Sequence, residues 1–102
     1  MKRPKKTLEV ILDGERFRDK VAWKVFLNVL LRIGIERAHA THVMPITAEC
    51  PEREEFYEQV GDWWVRTHMS VDSMVGILTR LKDELGLSME IRARDVLQDM
   101  LA

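Results

Sequence analysis

The sequence predicts an α+β domain in which a mostly antiparallel sheet carries two main helices on one face. Three observations predict it. Residues near both ends, Leu8–Leu12 and Met89–Ala93, alternate in the period-2 manner of strands buried on one side. Two segments between them repeat apolar residues at helical spacing. The dipeptides Asp13-Gly14 and Gly61-Asp62 stand between short β-prone runs, where tight hairpin turns belong.

The elements follow in order. Residues 1–6 hold four basic side chains and a proline, and are expected to be a basic tail ahead of a single domain at 7–102. "TLEVIL" places Leu8, Val10 and Leu12 on one face and Glu9 and Ile11 on the other. Asp13-Gly14 turns the chain, and "ERFR" is the short return strand. A long helix is expected from Arg18 to Ala38. Its polar residues Lys20, Lys24, Asn28, Arg32 and Glu36 fall every four positions, so they form one narrow stripe on an otherwise oily rod. A surface helix normally shows the reverse, an apolar stripe on a polar body. One small sheet covers such a helix on one side only. The expectation is that other segments, a second copy or a partner cover the rest.

Residues 39–55 carry weaker signals. "HVMPIT" fits a short edge strand that tolerates Pro45, and Pro51 ahead of Glu52, Glu54 and Glu55 fits one helical turn. "FYEQVGDWWVRTHM" predicts a hairpin pairing Val60 with Trp63, Gln59 with Trp64, Tyr57 with Arg66, and Glu55 near His68. Ser70 is positioned to cap a helix whose stripe runs Val71, Met74, Val75, Leu78, Leu81, Leu85, with Gly86 at its left-handed end. "LSMEIRAR" is the last strand, with Met89, Ile91 and Ala93 inward and Glu90, Arg92 and Arg94 outward. "DVLQDMLA" then predicts a short C-terminal helix. The nearest common plan for this order is ferredoxin-like.

Composition narrows the function. The chain has 102 residues, 46% of them hydrophobic, and a net charge of −1, which exerts no global pull on nucleic acid or anionic lipid but leaves a local basic patch open. Its one cysteine, Cys50, excludes an internal disulfide and suits a reducing compartment. The first apolar run is too short for a signal-peptide core. The longest, 21–35, is broken by Lys24, Asn28 and Arg32. A cytoplasmic protein without a membrane partner is expected.

Two neighbouring tryptophans on a strand face opposite ways. Trp63 is expected in the core. Trp64 then shares the other face with Tyr57, Arg66 and His68 and, across a continuous sheet, with Arg92 and Arg94. These six residues form the expected binding surface. Ordinary cross-strand packing would account for them, but Trp, Tyr and Arg are also the residues of protein-interface hot spots. Aromatic and arginine side chains on an open sheet also serve single-stranded nucleic acid. Glu9 and Glu90 on that face, and the lack of an RNP-type string, count against the nucleic-acid use.

Catalytic and metal patterns are weak. His39, His42, Cys50 and His68 lack the paired spacings of zinc sites. "HAT" at 39–41 and "HMS" at 68–70 resemble the paired motifs of two-histidine phosphoesterases, in which His39 and His68 would be general acid and base. Members of that family are longer and separate the motifs by far more than 29 residues. Thr67, His68 and Ser70 at a helix start fit an anion, but an N-cap explains them more simply. No phosphate-loop, dinucleotide or nucleophile motif is present. No cofactor and no metal are expected.

Four blocks, at Asp13–Gly14, Ile33–Ala38, Trp63–Ser70 and Leu85–Leu87, resemble a small bacterial domain of unknown function. Its recurring features are a DG turn, an IG-x-E-[RK] helix end and a Trp-Trp-Val-x-Thr-His-x-Ser string. Val71 departs from the second hydroxyl residue usual there. The resemblance implies the same element order and a bacterial origin, and no catalytic residue. The expectation is therefore a non-enzymatic module that self-associates or docks on a larger partner. An RNA- or DNA-binding module using Tyr57, Trp64, Arg66 and Arg92 is the alternative, and the two-histidine enzyme is a distant third.

Overall fold

The computed structural model describes residues 6–42 and 46–95. The elements are β1 (Lys6–Leu12), β2 (Glu15–Arg18), α1 (Ala22–Ile33), α2 (Ile35–Ala40), β3 (Ile46–Thr47), a 3-10 turn (Glu54–Phe56), β4 (Tyr57–Val60), β5 (Trp63–Arg66), α3 (Val71–Leu85) and β6 (Met89–Asp95). The protein is α+β, with two main helices, as the sequence predicts. The first strand starts at Lys6, inside the expected tail. The expected C-terminal helix lies outside the described residues.

The strands form two three-stranded antiparallel sheets, in the orders β2-β1-β6 and β3-β5-β4. This corrects the expected single sheet and its ferredoxin-like plan. β1 takes β2 and β6 on its two edges and β5 takes β4 and β3, so the hairpins do not meet through their central strands. The outer strands β2, β6, β3 and β4 pair with no strand of the other sheet among the described residues.

The Asp13-Gly14 turn has positive φ at both residues, 51° and 83°, the conformation that matches the twist of a two-residue hairpin. It sets Leu12 opposite Glu15, Val10 opposite Phe17 and Glu9 opposite Arg18. Leu8, Val10, Leu12 and Met89 are buried under the helices, while Glu9, Ile11 and Arg92 face the other way. One continuous core joins them to Val25, Phe26, Val29 and Leu30 of α1, Leu78 and Leu81 of α3, and Ile46 and Val65 of the second sheet.

The long oily helix is shorter than expected and divided. Asp19 accepts the Val21 N–H at 2.9 Å, which stops the helix from starting before Ala22. Gly34 adopts φ 107°, ψ 122° and splits α1 from α2. Gly34 closes both helices: its N–H donates to Leu30 O (2.8 Å) at the end of α1, and its carbonyl accepts the Ala38 N–H (3.0 Å) at the start of α2. The bend folds Ile35 and Ala38 into the same core. At α3, Ser70 Oγ accepts the Ser73 N–H at 3.1 Å and Gly86 (φ 61°) ends the helix, both as predicted. Of the expected strand "HVMPIT", residues 43–45 lie outside the described residues and Ile46–Thr47 pair as a strand; the helical turn begins at Glu54 rather than at Pro51.

Gly34 carries a testable consequence. A Cβ there would meet only Arg37 Cβ, at 3.8 Å, an ordinary contact, so substitution costs backbone strain and not a clash. Gly34→Ala is expected to lower stability by about 1–3 kcal/mol in urea unfolding, with an unchanged m-value. An unchanged midpoint would show that the α1–α2 break is not enforced.

Candidate anion-binding face

The outer face of the first sheet is built by the register of its hairpin. Arg18, Glu9 and Arg92 lie in one cross-strand row; Arg16, Ile11 and Glu90 lie in the next. Thr7 and Arg94 continue it on the far side. Glu9 is at the centre, its side chain only 19% exposed, and three arginines converge on it. Arg92 NH1 is 3.4 Å from Oε1, and Arg16 Nε and Arg18 Nε each stand 4.0 Å from Oε2. The shortest bonds of Arg92 go instead to Glu90, at 2.7 and 3.0 Å. Those bonds, aided by the Glu90 charge and then by Glu9, raise the Arg92 pKa above its ordinary value. The side chains enclose an open basin of about 510 Å³ in which five cations, Arg16, Arg18, Lys20, Arg92 and Arg94, meet two carboxylates, Glu9 and Asp19.

The second sheet carries the tryptophans as the period-2 rule requires. Trp63 turns toward α2, where the His39 ring sits 4.7 Å away, so His39 is a packing partner of the core. Trp64 lies on the opposite face, half-buried between its cross-strand neighbours Thr47 and Gln59. Tyr57 pairs with Arg66 in the expected register.

Comparison with family models, with curated protein sequences and with solved structures gives no significant match.

The six residues expected on one surface do not share it. Tyr57, Trp64 and Arg66 lie on the second sheet, and Arg92 and Arg94 on the first. His68 leaves the Trp64 face altogether. Thr67 and His68 both donate their N–H groups to Phe56 O, at 3.0 and 3.1 Å, so two residues oppose one just past β5. That extra residue reverses the alternation and stacks the His68 ring on Phe56, at 4.5 Å and 18°. Arg53 approaches the same Phe56 ring at 5.5 Å.

The two His-x-Thr/Ser motifs are not brought together either. His39 contacts the start of β5 and His68 follows its end, and four strand residues between them span roughly 13 Å. Ser70 and Ser73 engage each other at the start of α3, as capping groups do. Among the described residues no group of three or more His, Cys, Asp or Glu gathers to hold a metal, and no helix is long and apolar enough to cross a membrane.

Arg16 and Arg18 were missed as site residues, although counting back from the Asp13-Gly14 turn puts Arg18 opposite Glu9. The signal was the hairpin register, which pairs each residue of "ERFR" with one of "EVIL".

Cys50 is exposed, and its thiol donates to Glu54 Oε1 at 3.0 Å. That hydrogen bond, chiefly, pushes its pKa up, because the neighbouring carboxylate favours the protonated thiol and repels the thiolate. The thiolate fraction at neutral pH is thereby reduced. Iodoacetamide should alkylate Cys50 more slowly than a free cysteine, and Glu54→Gln should speed the reaction severalfold. Equal rates in both proteins would show that the Glu54 contact does not control the thiol.

Proposed function

We propose that this chain is a non-enzymatic interaction module that docks the backbone of a nucleic acid on the outer face of its first sheet. One observation carries the reading: arginines from β2 and β6 surround a basin on a sheet face opposite the helices. Its chemistry favours phosphates over a protein surface. Protein interfaces are centred on apolar and aromatic anchors, and the basin has no aromatic lining residue. Arginine forks match phosphate geometry, and backbone contacts need no stacking platform. Lys2, Arg3 and Lys5 precede β1 in the sequence. The alternative expected from the sequence thus moves from the Trp64 face to the arginine face. It reads no bases there, so sequence-independent binding is expected.

Fluorescence anisotropy with a labelled single-stranded oligonucleotide and its duplex tests this across a salt series. Neutralising roughly three phosphates gives a slope of log K against log salt of about −2 on single strands and about −3 on duplex. Arg18→Glu with Arg92→Glu should abolish binding, while Trp64→Ala should leave it unchanged. No binding at low salt, or a loss with Trp64→Ala as large as with the arginine pair, would overturn the reading.

A second reading, self-association, is favoured by α1. Leu31 is 47% and Val21 38% exposed, the two exposed large hydrophobics among the described residues. Leu27 and Trp23, one and two turns before Leu31, are half-buried in the same row. Light scattering over a concentration series should then show mass growth that Leu31→Glu removes. A strict monomer at the highest concentration rejects it.

A further inference from the structure

We propose that the centre of the arginine face is a phosphate site in which Glu9 is the resident competitor. The proposal rests on the reading of this face as a phosphate-binding surface and names the group that it holds and the residue that tunes it. Three guanidiniums from two strands on either side of β1 converge on one carboxylate, yet none makes a short charge-assisted bond to it. The distances are 3.4 Å from Arg92 and 4.0 Å from Arg16 and Arg18, against about 2.7–2.9 Å for a tight pair.

Geometry explains the mismatch. Glu9 hangs from the central strand, and its two oxygens are offered to donors from β2 on one side and β6 on the other. A carboxylate is planar, has two oxygens and is tethered. It cannot close the distance to three forks at once. A phosphate group is tetrahedral and untethered, and presents a separate oxygen to each fork. It would take up the donors that now surround Glu9, and the carboxylate, less exposed than Arg16, Arg18, Glu90 or Arg92, would oppose it as a like charge. Glu9 thus draws the arginines toward itself, offsets their mutual repulsion and sets how tightly an anion enters.

Removing that charge separates this role from a merely structural one. Glu9→Gln keeps the size of the side chain, and Asp19→Asn removes a charge from the rim of the same basin as a control. Glu9→Gln should tighten oligonucleotide binding by about tenfold, and Asp19→Asn by no more than about twofold, because Coulomb repulsion falls with distance and solvent screening. Equal effects, or weaker binding by folded Glu9→Gln, would overturn the proposal while leaving the reading of the face intact. Absence of oligonucleotide binding by the unaltered protein sinks that reading itself.

A second measurement needs no variant. Inorganic phosphate titrated into the isotope-labelled protein should move the side-chain Nε–H resonances of Arg16, Arg18 and Arg92 along one binding curve and compete with the oligonucleotide, whereas chloride should not. Resonances that move independently, or move equally with chloride, would overturn the proposal.

Discussion

The register of β2 and β6 on β1 is the constraint on which the rest depends. Side chains alternate along a strand with period 2, so a slip of one residue exchanges the two faces of the sheet. In the observed register Phe17 pairs with Val10 on the helix side, and Arg16 and Arg18 fall opposite Ile11 and Glu9 on the outer side. Slipped by one, β2 would carry two arginines under α1 and put Phe17 into water. The tight turn at Asp13-Gly14 allows no such slip, because both of its residues need positive φ and only this pair supplies them cheaply. The apolar core and the cationic face are therefore two results of one turn.

The same constraint explains how the oily α1 is covered. A surplus of apolar surface called for cover from other segments, a second copy or a partner. Most of that surface is covered from within, because the second hairpin forms its own sheet with β3 and adds Val65 and Ile46 to the core. Gly34 contributes as well, since a helix running straight on to Ala38 would carry Ile35 and Ala38 past the core that they now enter. What remains outside is the polar stripe predicted from Lys24, Asn28 and Arg32, widened by Leu31.

Local features were legible in the sequence. Both hairpins, the Ser70 cap, the Gly86 stop, the opposite directions of Trp63 and Trp64 and the outward Arg92 and Arg94 follow from nearest-neighbour rules, and the structure has them. The association of the two hairpins was not legible, because nothing local says whether a strand edge meets its neighbour in sequence or a distant one. That one gap misplaced the surface: Tyr57, Trp64 and Arg66 kept their face, but Arg92 and Arg94 belong to another sheet. His68 escaped for a different reason. Its direction depends on two N–H groups sharing the Phe56 carbonyl, and a bulge of that kind leaves no mark in the spacing of residue types. Arg16 and Arg18 were within reach, since turn arithmetic alone sets them beside Glu9.

A net charge of −1 conceals how the charges are arranged. The acids Glu49, Glu52, Glu54, Glu55, Glu58 and Asp62 cluster in one stretch of chain with Arg53 as their one interspersed cation. The first sheet gathers the arginines of β2 and β6 around the sheltered carboxylate of Glu9. At physiological ionic strength the field of an exposed charge decays over about 8 Å. A group within the basin therefore feels its cations, Glu9 and Asp19 strongly, and acids a Debye length or more away only weakly. An overall charge near zero is thus compatible with a strongly anion-attracting face, and the deciding quantity is how many cations a fold brings within one Debye length of the ligand. Here that number is set by a two-residue turn and by the strand that closes the sheet.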